Sequence, residues 1–313
     1  MARAMVPIIA ATPPSSTVAV LLSTHNGERY IAAQLASILS QSHADIRVVV
    51  RDDGSTDGTM PLVQAMAAED SRVRVVAGPR IGWGGSFMEL LASSGEARWF
   101  AFSDQDDVWL PDKLSRAVTA LAPLDDERPA LYGSAMVHVS DELRWLSATV
   151  IPRRMSFENA LVQNVVPGCT MVFNRAARAL CLERVPTPAV HDWWLYLVTA
   201  AFGTVIFDDA VTVLHRVHDD NATAVALWRH WRRRVSAHLK LPPDRRPSRL
   251  VHDFYETYGD RLDGERHSIV EELLAMRRAS LPSRARYACR TPVYRQSAVD
   301  NGILRVLLTL GRF

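Results

Sequence analysis

The sequence predicts an α/β fold built on a doubly wound, mostly parallel sheet. Three observations predict it. Four short apolar runs of strand length recur through the first hundred residues, windows of helical periodicity separate them, and three of the runs end directly in small, polar or acidic residues. Continuous runs of this length fit strands buried on both faces, and such folds bind ligands at the carboxyl ends of their strands.

The first run is 18–22 (Val-Ala-Val-Leu-Leu). A helical window over 28–40 follows, with Ile31, Leu35, Ile38 and Leu39 on one face and Asn26 placed as its cap. The second run, 46–50, precedes a helix at 59–68, where Pro61 suits a first turn. The third run, 73–76, precedes a short helix at 86–94. The fourth, 99–102, precedes a helix at 111–122 that opens on Pro111 and aligns Leu114, Val118 and Leu121. Residues 122–129 read as an exposed loop. Strands at 130–139 and 169–173, a helix at 191–201 and strand-like runs at 204–207 and 211–217 come next. Beyond about 226 the chain becomes arginine-rich and helical, interrupted by Pro242, Pro243, Pro247, Pro282 and Pro292. This divides it into a leader (1–17), a main domain (18–225) and a basic helical extension (226–313).

With 313 residues, 48% of them hydrophobic and 22% charged, the chain can bury a large core without disulfides or structural metal. Cys169, Cys181 and Cys289 have no metal-ligand spacing, and their odd number suits a reducing cytosol. No apolar stretch approaches the roughly 20 residues of a spanning helix. Pro7, Pro13 and Pro14 make the N-terminus a loose leader rather than a signal peptide. A net charge of +2 excludes little, but acidic residues cluster at 104–107 and 125–127 while arginines crowd the last third.

The most informative segment is Ser103-Asp104-Gln105-Asp106-Asp107, directly behind Trp99-Phe100-Ala101-Phe102. A strand here delivers three mutually repelling carboxylates to one place, which suits a hard divalent cation facing a polyanion such as a diphosphate. Ordinary turn and cap chemistry is the competing reading, but the flanking Val108-Trp109-Leu110 argues for a half-buried cluster. The first strand ends in Ser23-Thr24-His25-Asn26-Gly27-Glu28, offering hydroxyls and amides to a ligand. The second ends in Arg51-Asp52-Asp53-Gly54-Ser55-Thr56-Asp57-Gly58-Thr59, where an Asp either shapes a turn or accepts from a pyrimidine imide.

Together with Val108-Trp109-Leu110-Pro111-Asp112-Lys113-Leu114, these loops resemble family 2 glycosyltransferases of the GT-A fold, and most closely the bacterial rhamnosyltransferase-like type. The resemblance covers roughly 18–225. It implies a Rossmann-like sheet flanked by helices, a nucleotide-diphosphate-sugar donor, Mg²⁺ or Mn²⁺, and inversion at the anomeric carbon. Carried over residue by residue, it assigns the pyrimidine to Asp53 and nucleotide contacts to Ser23, Thr24 and Asn26. The metal-binding acidic motif falls on Asp104, Gln105 and Asp106, with Asp106 the direct ligand. Gly82 and Ser86 match a segment near the donor, although Pro79-Arg80 departs from the usual pattern there.

Downstream, Gly168 to Asn174 resembles the strand flooring the donor sugar. In His191-Asp192-Trp193-Trp194 the family's general base falls at Asp192. Trp194 is expected in the core, while Trp193 stacks either on a sugar or in the core. Leu214 to Asn221 resembles a tail motif that implies His218 at the metal and Arg216 at the leaving diphosphate, with Asp219-Asp220 a departure.

The implied donor is dTDP-L-rhamnose, or next a UDP-sugar. The implied acceptor is a growing glycan on a polyprenyl diphosphate at the cytosolic face of an inner membrane. The stretch 228–249 has eight Lys or Arg against one acidic residue, which suits either a peripheral contact with anionic lipid or a solvated basic helix. No nucleic-acid motif accompanies it. Residues 303–310 read as an apolar docking helix, suited to a homodimer interface. Two other functions compete. A sugar-1-phosphate nucleotidyltransferase would need a Gly-rich basic loop that 23–28 lacks, and a non-catalytic sugar-nucleotide or glycan-binding module has no need of Asp192.

Overall fold

The computed structural model describes residues 16–186, 190–218 and 246–313. The apolar runs become β1 (Val18–Thr24), β2 (Ile46–Asp52), β3 (Val73–Ala77) and β4 (Trp99–Ser103). They pair in parallel in the spatial order β3-β2-β1-β4. Helices α1 (Ile31–Leu39), α2 (Thr59–Glu69) and α3 (Trp83–Ser93) make the crossovers, and α4 (Lys113–Leu121) follows β4. Along β1, Val18, Val20 and Leu22 enter one core layer with Ile31, Leu35 and Leu114. Ala19 and Leu21 enter the opposite layer with Phe87, Leu91 and Trp194. Val18 to Leu22 are all fully buried, which is why the run is continuous rather than alternating. Each buried Val or Leu contributes about 1.5–3 kcal/mol relative to exposure.

The other half of the sheet is mixed. β6 (Ala130–Val139) runs parallel to β9 (Thr204–Arg216), and β8 (Val172–Asn174) lies antiparallel between β4 and β6. Short strands β5 (Val108–Trp109) and β7 (Trp145–Ala148) pair antiparallel with β9 and β6. The runs at 204–207 and 211–217 are thus one strand. Asp209 and Ala210 bulge out between Asp208, opposite Ser134, and Val211, opposite Ala135. Asp208 anchors the bulge by accepting from Ala210 N at 2.9 Å and from Tyr132 Oη and Arg116 Nε at 2.8 Å each.

Three local expectations are corrected. The segment 169–173 is not one strand: Gly168–Thr170 forms a 3₁₀ turn before β8, closed by Thr170 N and Oγ1 on Pro167 O at 2.9 and 2.8 Å. Asn26 does not cap α1. It takes φ +49°, and its carboxamide oxygen accepts from Thr56 N at 2.8 Å, while Tyr30 N and Ile31 N open the helix on Gly27 O. α3 begins at Trp83, ahead of 86, because Gly82 turns the chain at φ +81°, a region that favours glycine.

Helices α5 (Phe157–Ala160) and α6 (Arg175–Leu182) were not expected, whereas α7 (His191–Phe202) was. The described extension forms α8 (Pro247–Tyr258), α9 (Gly264–Ala275), α10 (Leu281–Arg290) and α11 (Ala298–Leu310). Val251, Phe254 and Tyr258 share a core layer with Trp194, whose ring centroid lies 5.9 Å from that of Tyr258. Ile303, Leu304, Leu307 and Leu308 are buried in this same chain, so that apolar face docks at home. Most of the leader, the 225/226 boundary, Asp219-Asp220 and the basic run 228–245 lie outside the described residues. Among the described residues no helix is long and apolar enough to cross a membrane.

Candidate active site

The carboxyl ends of β1, β2 and β4 open into one cavity of about 720 Å³. Ser23, Thr24 and Asn26 reach it from the end of β1, Asp53 from β2 and Gly82 from the start of α3. Asp104, Gln105 and Asp106 come from β4, Asp192 from the first turn of α7, and His218 from the chain just past β9. A smaller groove of about 270 Å³ between α10 and α11 carries none of them.

At the end of β2 the two aspartates divide their work. Asp52 holds a turn, its Oδ2 accepting from Ser55 N at 2.9 Å and its Oδ1 from Ser55 Oγ. Asp53 lines the cavity. Its Oδ1 accepts from Arg51 Nη1 at 2.7 Å and Ile81 N at 2.8 Å, and its Oδ2 from Gly82 N at 2.8 Å. Burial alone would raise its pKa, but these three donors outweigh it and hold the carboxyl below the usual range. Arg51 is buried, also bonds Glu89 and Pro79 O, and touches Ser86, whose Oγ lies 2.6 Å from Ser23 Oγ.

Gln105 ties the first loop to the acidic one. Its Oε1 accepts from Thr24 Oγ1 at 2.7 Å and His25 N at 2.8 Å, and its Nε2 donates to His25 O at 3.2 Å. Beside it, burial, Asp107 and Asp106 push Asp104 well above the usual carboxylate range. Burial and Asp107 also raise Asp106, against the opposing bond from His218. His218 Nε2 sits 2.9 Å from Asp106 Oδ2, and its ring stacks on Tyr30 with centroids 5.0 Å apart. The fully buried Asp107 lies 2.8 Å from His215 Nδ1. Burial opposes a charged His215, but Asp107, Asp104 and Asp106 prevail and raise it to about 9.

Asp192 is held by two donors: Asn164 Nδ2 on Oδ2 at 2.9 Å and Trp193 N on Oδ1 at 2.7 Å. Its neighbour His191 also lines the cavity, stacked on Phe87 at 4.0 Å and edge-on to Phe102 at 4.7 Å. Burial keeps this imidazole neutral, with its pKa pushed down to about 4. Gly168 makes the room, since a Cβ there would lie 3.0 Å from His191 Nε2.

Ser86 does not line the cavity, and neither does Arg216. Arg216 is 7% exposed, with Nη1 donating to Asp141 O and its guanidinium 5.3 Å above the Tyr30 ring. It therefore backs Tyr30, while Arg80 lines the cavity. Trp193 also turns away, donating from Nε1 to Ala160 O at 2.7 Å, and Trp194 is buried as expected. Sequence reasoning missed Asn164, Tyr30, His191 and His215 as parts of the site. Each meets its partner through tertiary packing, and only the presence of His191 and His215 within the quoted motifs hinted at them.

Residues 19–180 match the family Glycosyl transferase family 2. The chain belongs to that family. A dTDP-rhamnosyl transferase of Shigella flexneri, RfbG, is 27% identical to this glycosyltransferase over 223 residues, 64% of this chain and 72% of that one. A UDP-Glc:alpha-D-GlcNAc-diphosphoundecaprenol beta-1,3-glucosyltransferase of Escherichia coli is 26% identical over 183 residues, 58% and 68% of the two chains. An uncharacterized glycosyltransferase of Nostoc sp. is 36% identical over 110 residues, and this match spans only 34% of that relative's length. Among solved structures, S. aureus TarS in complex with UDP-GlcNAc superposes with a TM-score of 0.56 at 16% identity, covering 95% of this chain and 87% of that one. The mannosyltransferase PcManGT of Pyrobaculum calidifontis, in complex with GDP-Man and Mn²⁺, gives 0.50 at 19%, covering 96% and 86%. The fold of this glycosyltransferase is GT-A.

Proposed function

We propose that this glycosyltransferase is metal-dependent and inverting, taking a sugar from a nucleotide-diphosphate donor to a lipid-linked glycan acceptor. One observation carries the reading: Asp53, Asp104, Asp106, His218 and Asp192 line a single cavity. Four carboxylates stand there against Arg80 and the protonated His215, a poor setting for a diphosphate unless a further cation joins it. The raised pKa values of Asp104 and Asp106 speak for the same need. Asp106, Asp104 and His218 are the residues that would hold Mg²⁺ or Mn²⁺. When bound, the ion supplies positive charge against the departing diphosphate.

The chain's own residues do the rest. Asp53 has three of about four acceptor sites filled by protein donors, leaving one for a pyrimidine imide N–H. Asp192, oriented by Asn164, takes the proton from the acceptor hydroxyl as its oxygen attacks from the face opposite the diphosphate. Neutral His191 adds no competing cation beside that base. Likeness to a dTDP-rhamnosyl transferase supports dTDP-L-rhamnose as donor, with UDP-sugars next. Likeness to an enzyme of diphosphoundecaprenol-linked sugars supports a polyprenyl-diphosphate acceptor, which we place at the cytosolic membrane face. We assign catalysis to 18–225 and a supporting role to 226–313.

Thermal unfolding with UDP, dTDP or GDP, each with and without Mn²⁺, tests the donor site. A nucleotide at a hundred times its Kd adds about 2.7 kcal/mol. Metal-dependent stabilisation by dTDP or UDP is expected, and no stabilisation by any nucleotide would favour a glycan-binding module. Asp192→Asn should keep that stabilisation while transfer falls by about 10²–10⁴. Near-wild-type turnover would remove Asp192 as the base.

A further inference from the structure

The hairpin from β6 to β7, with the segment behind it, exposes an apolar strip. Trp145 is 68% exposed, Val150 64% and Leu146 48%, with Leu143 and Ile151 alongside. Large exposed apolar side chains gathered in one short segment mark a candidate interaction surface. β7 pairs with β6 alone among the described strands, so no further strand screens it. From Leu143 to Met155 the chain carries Arg144, Arg153 and Arg154, all exposed, and no carboxylate. Arg144 pairs with Glu142 at 2.9 Å, which leaves Arg153 and Arg154 as the principal cations. Both are fixed beside the strip: Arg153 N donates to Gln296 Oε1 at 3.0 Å, and the Arg154 guanidinium lies 5.1 Å from the Tyr294 ring centroid.

The same hairpin is fastened to the rim of the cavity. Asp141, in its turn, accepts from Tyr30 Oη at 3.0 Å and pairs with Arg29 at 2.9 Å, and Tyr30 stacks on His218. Whatever the strip rests on is therefore held next to the candidate active site.

We propose that this hairpin docks the enzyme on an anionic lipid surface. Trp145, Leu146 and Val150 enter the interface, and Arg153 and Arg154 meet the lipid phosphates. An aromatic and aliphatic face bordered by arginine matches the apolar and anionic layers of such a surface. A second copy of the chain is a poorer occupant, because self-pairing would set the arginines of each strip against those of the other. The inference deepens the proposed function, since a lipid-linked acceptor rests on that reading, but its test does not depend on transfer.

The test is flotation of the full chain with vesicles of phosphatidylcholine alone and vesicles that also contain phosphatidylglycerol. The wild type should float with the anionic vesicles and not with the neutral ones. Trp145→Glu/Val150→Glu should abolish flotation, and Arg153→Gln/Arg154→Gln should weaken it by about fivefold per arginine. Both variants should keep the wild-type thermal midpoint and nucleotide stabilisation, because none of these residues lines the cavity. Equal flotation of wild type and both variants, or none by the wild type, overturns the inference while nucleotide binding still stands. A wild-type dimer that Trp145→Glu/Val150→Glu splits would overturn it in favour of self-association.

Discussion

His218 Nε2 lies 2.9 Å from Asp106 Oδ2, although 112 residues separate the two in sequence. The contact joins the end of β4 to the chain past β9 and stands beside Asp104. His218→Ala should remove most of the Mn²⁺-dependent part of nucleotide stabilisation while leaving the protein folded. Calorimetry with dTDP or UDP, with and without Mn²⁺, measures it. Unchanged metal dependence in both His218→Ala and Asp106→Ala would separate this pair from the cation.

His191 predicts a pH dependence. Its pKa falls from 6.5 to about 4 in the fold through burial. Between those values the unfolded chain binds the proton and the fold does not, so stability drops as pH falls through that window. The loss approaches about 3 kcal/mol below pH 4. His191→Phe keeps the stack on Phe87 and has nothing to titrate. Its thermal midpoint should fall less than that of wild type between pH 6.5 and 4, and parallel curves would refute the assignment.

Gly27 and Gln105 predict a coupled pair. A Cβ at Gly27 would strike Gln105 Oε1 and lie 2.8 Å from its Cδ. Gly27→Ala should cost about 1–3 kcal/mol and weaken donor binding. In a Gln105→Ala background the same change should cost less, because the obstructing amide has gone. A double-mutant cycle by denaturant unfolding reads the coupling, and strict additivity would contradict it.

Asn164 predicts a kinetic split. Its amide donates to Asp192 Oδ2 at 2.9 Å, and it does not itself line the cavity. Asn164→Ala should lower kcat by about tenfold or more with little change in donor KM. A change confined to KM would show Asn164 acting on the donor instead.

The parallel half of the sheet was legible because its cause is local. Val18 to Leu22 is buried on both faces and so reads as one apolar run, and Asp53 and Asp104 follow such runs immediately. The cap on α1 was misread because the Asn26 carboxamide has a partner, Thr56, on another loop. The β9 bulge was hidden since Asp208 is anchored by Arg116 and Tyr132, far away in sequence. The tail motif implied Arg216 at the leaving diphosphate. Burial against Tyr30 and Asp141, which no spacing reveals, turned it inward.

The sequence by itself determined the strand–helix alternation, the strand ends that carry acidic and small residues, and the family resemblance. Those follow from periodicity and turn chemistry within a few residues of each position. Only the tertiary structure decided that Asp106 meets His218, that Asn164 steadies Asp192, and that Arg80 rather than Arg216 faces the cavity. Such pairings depend on strand register and on how α7 and β9 pack against the parallel half, and both are set by burial summed over the whole chain.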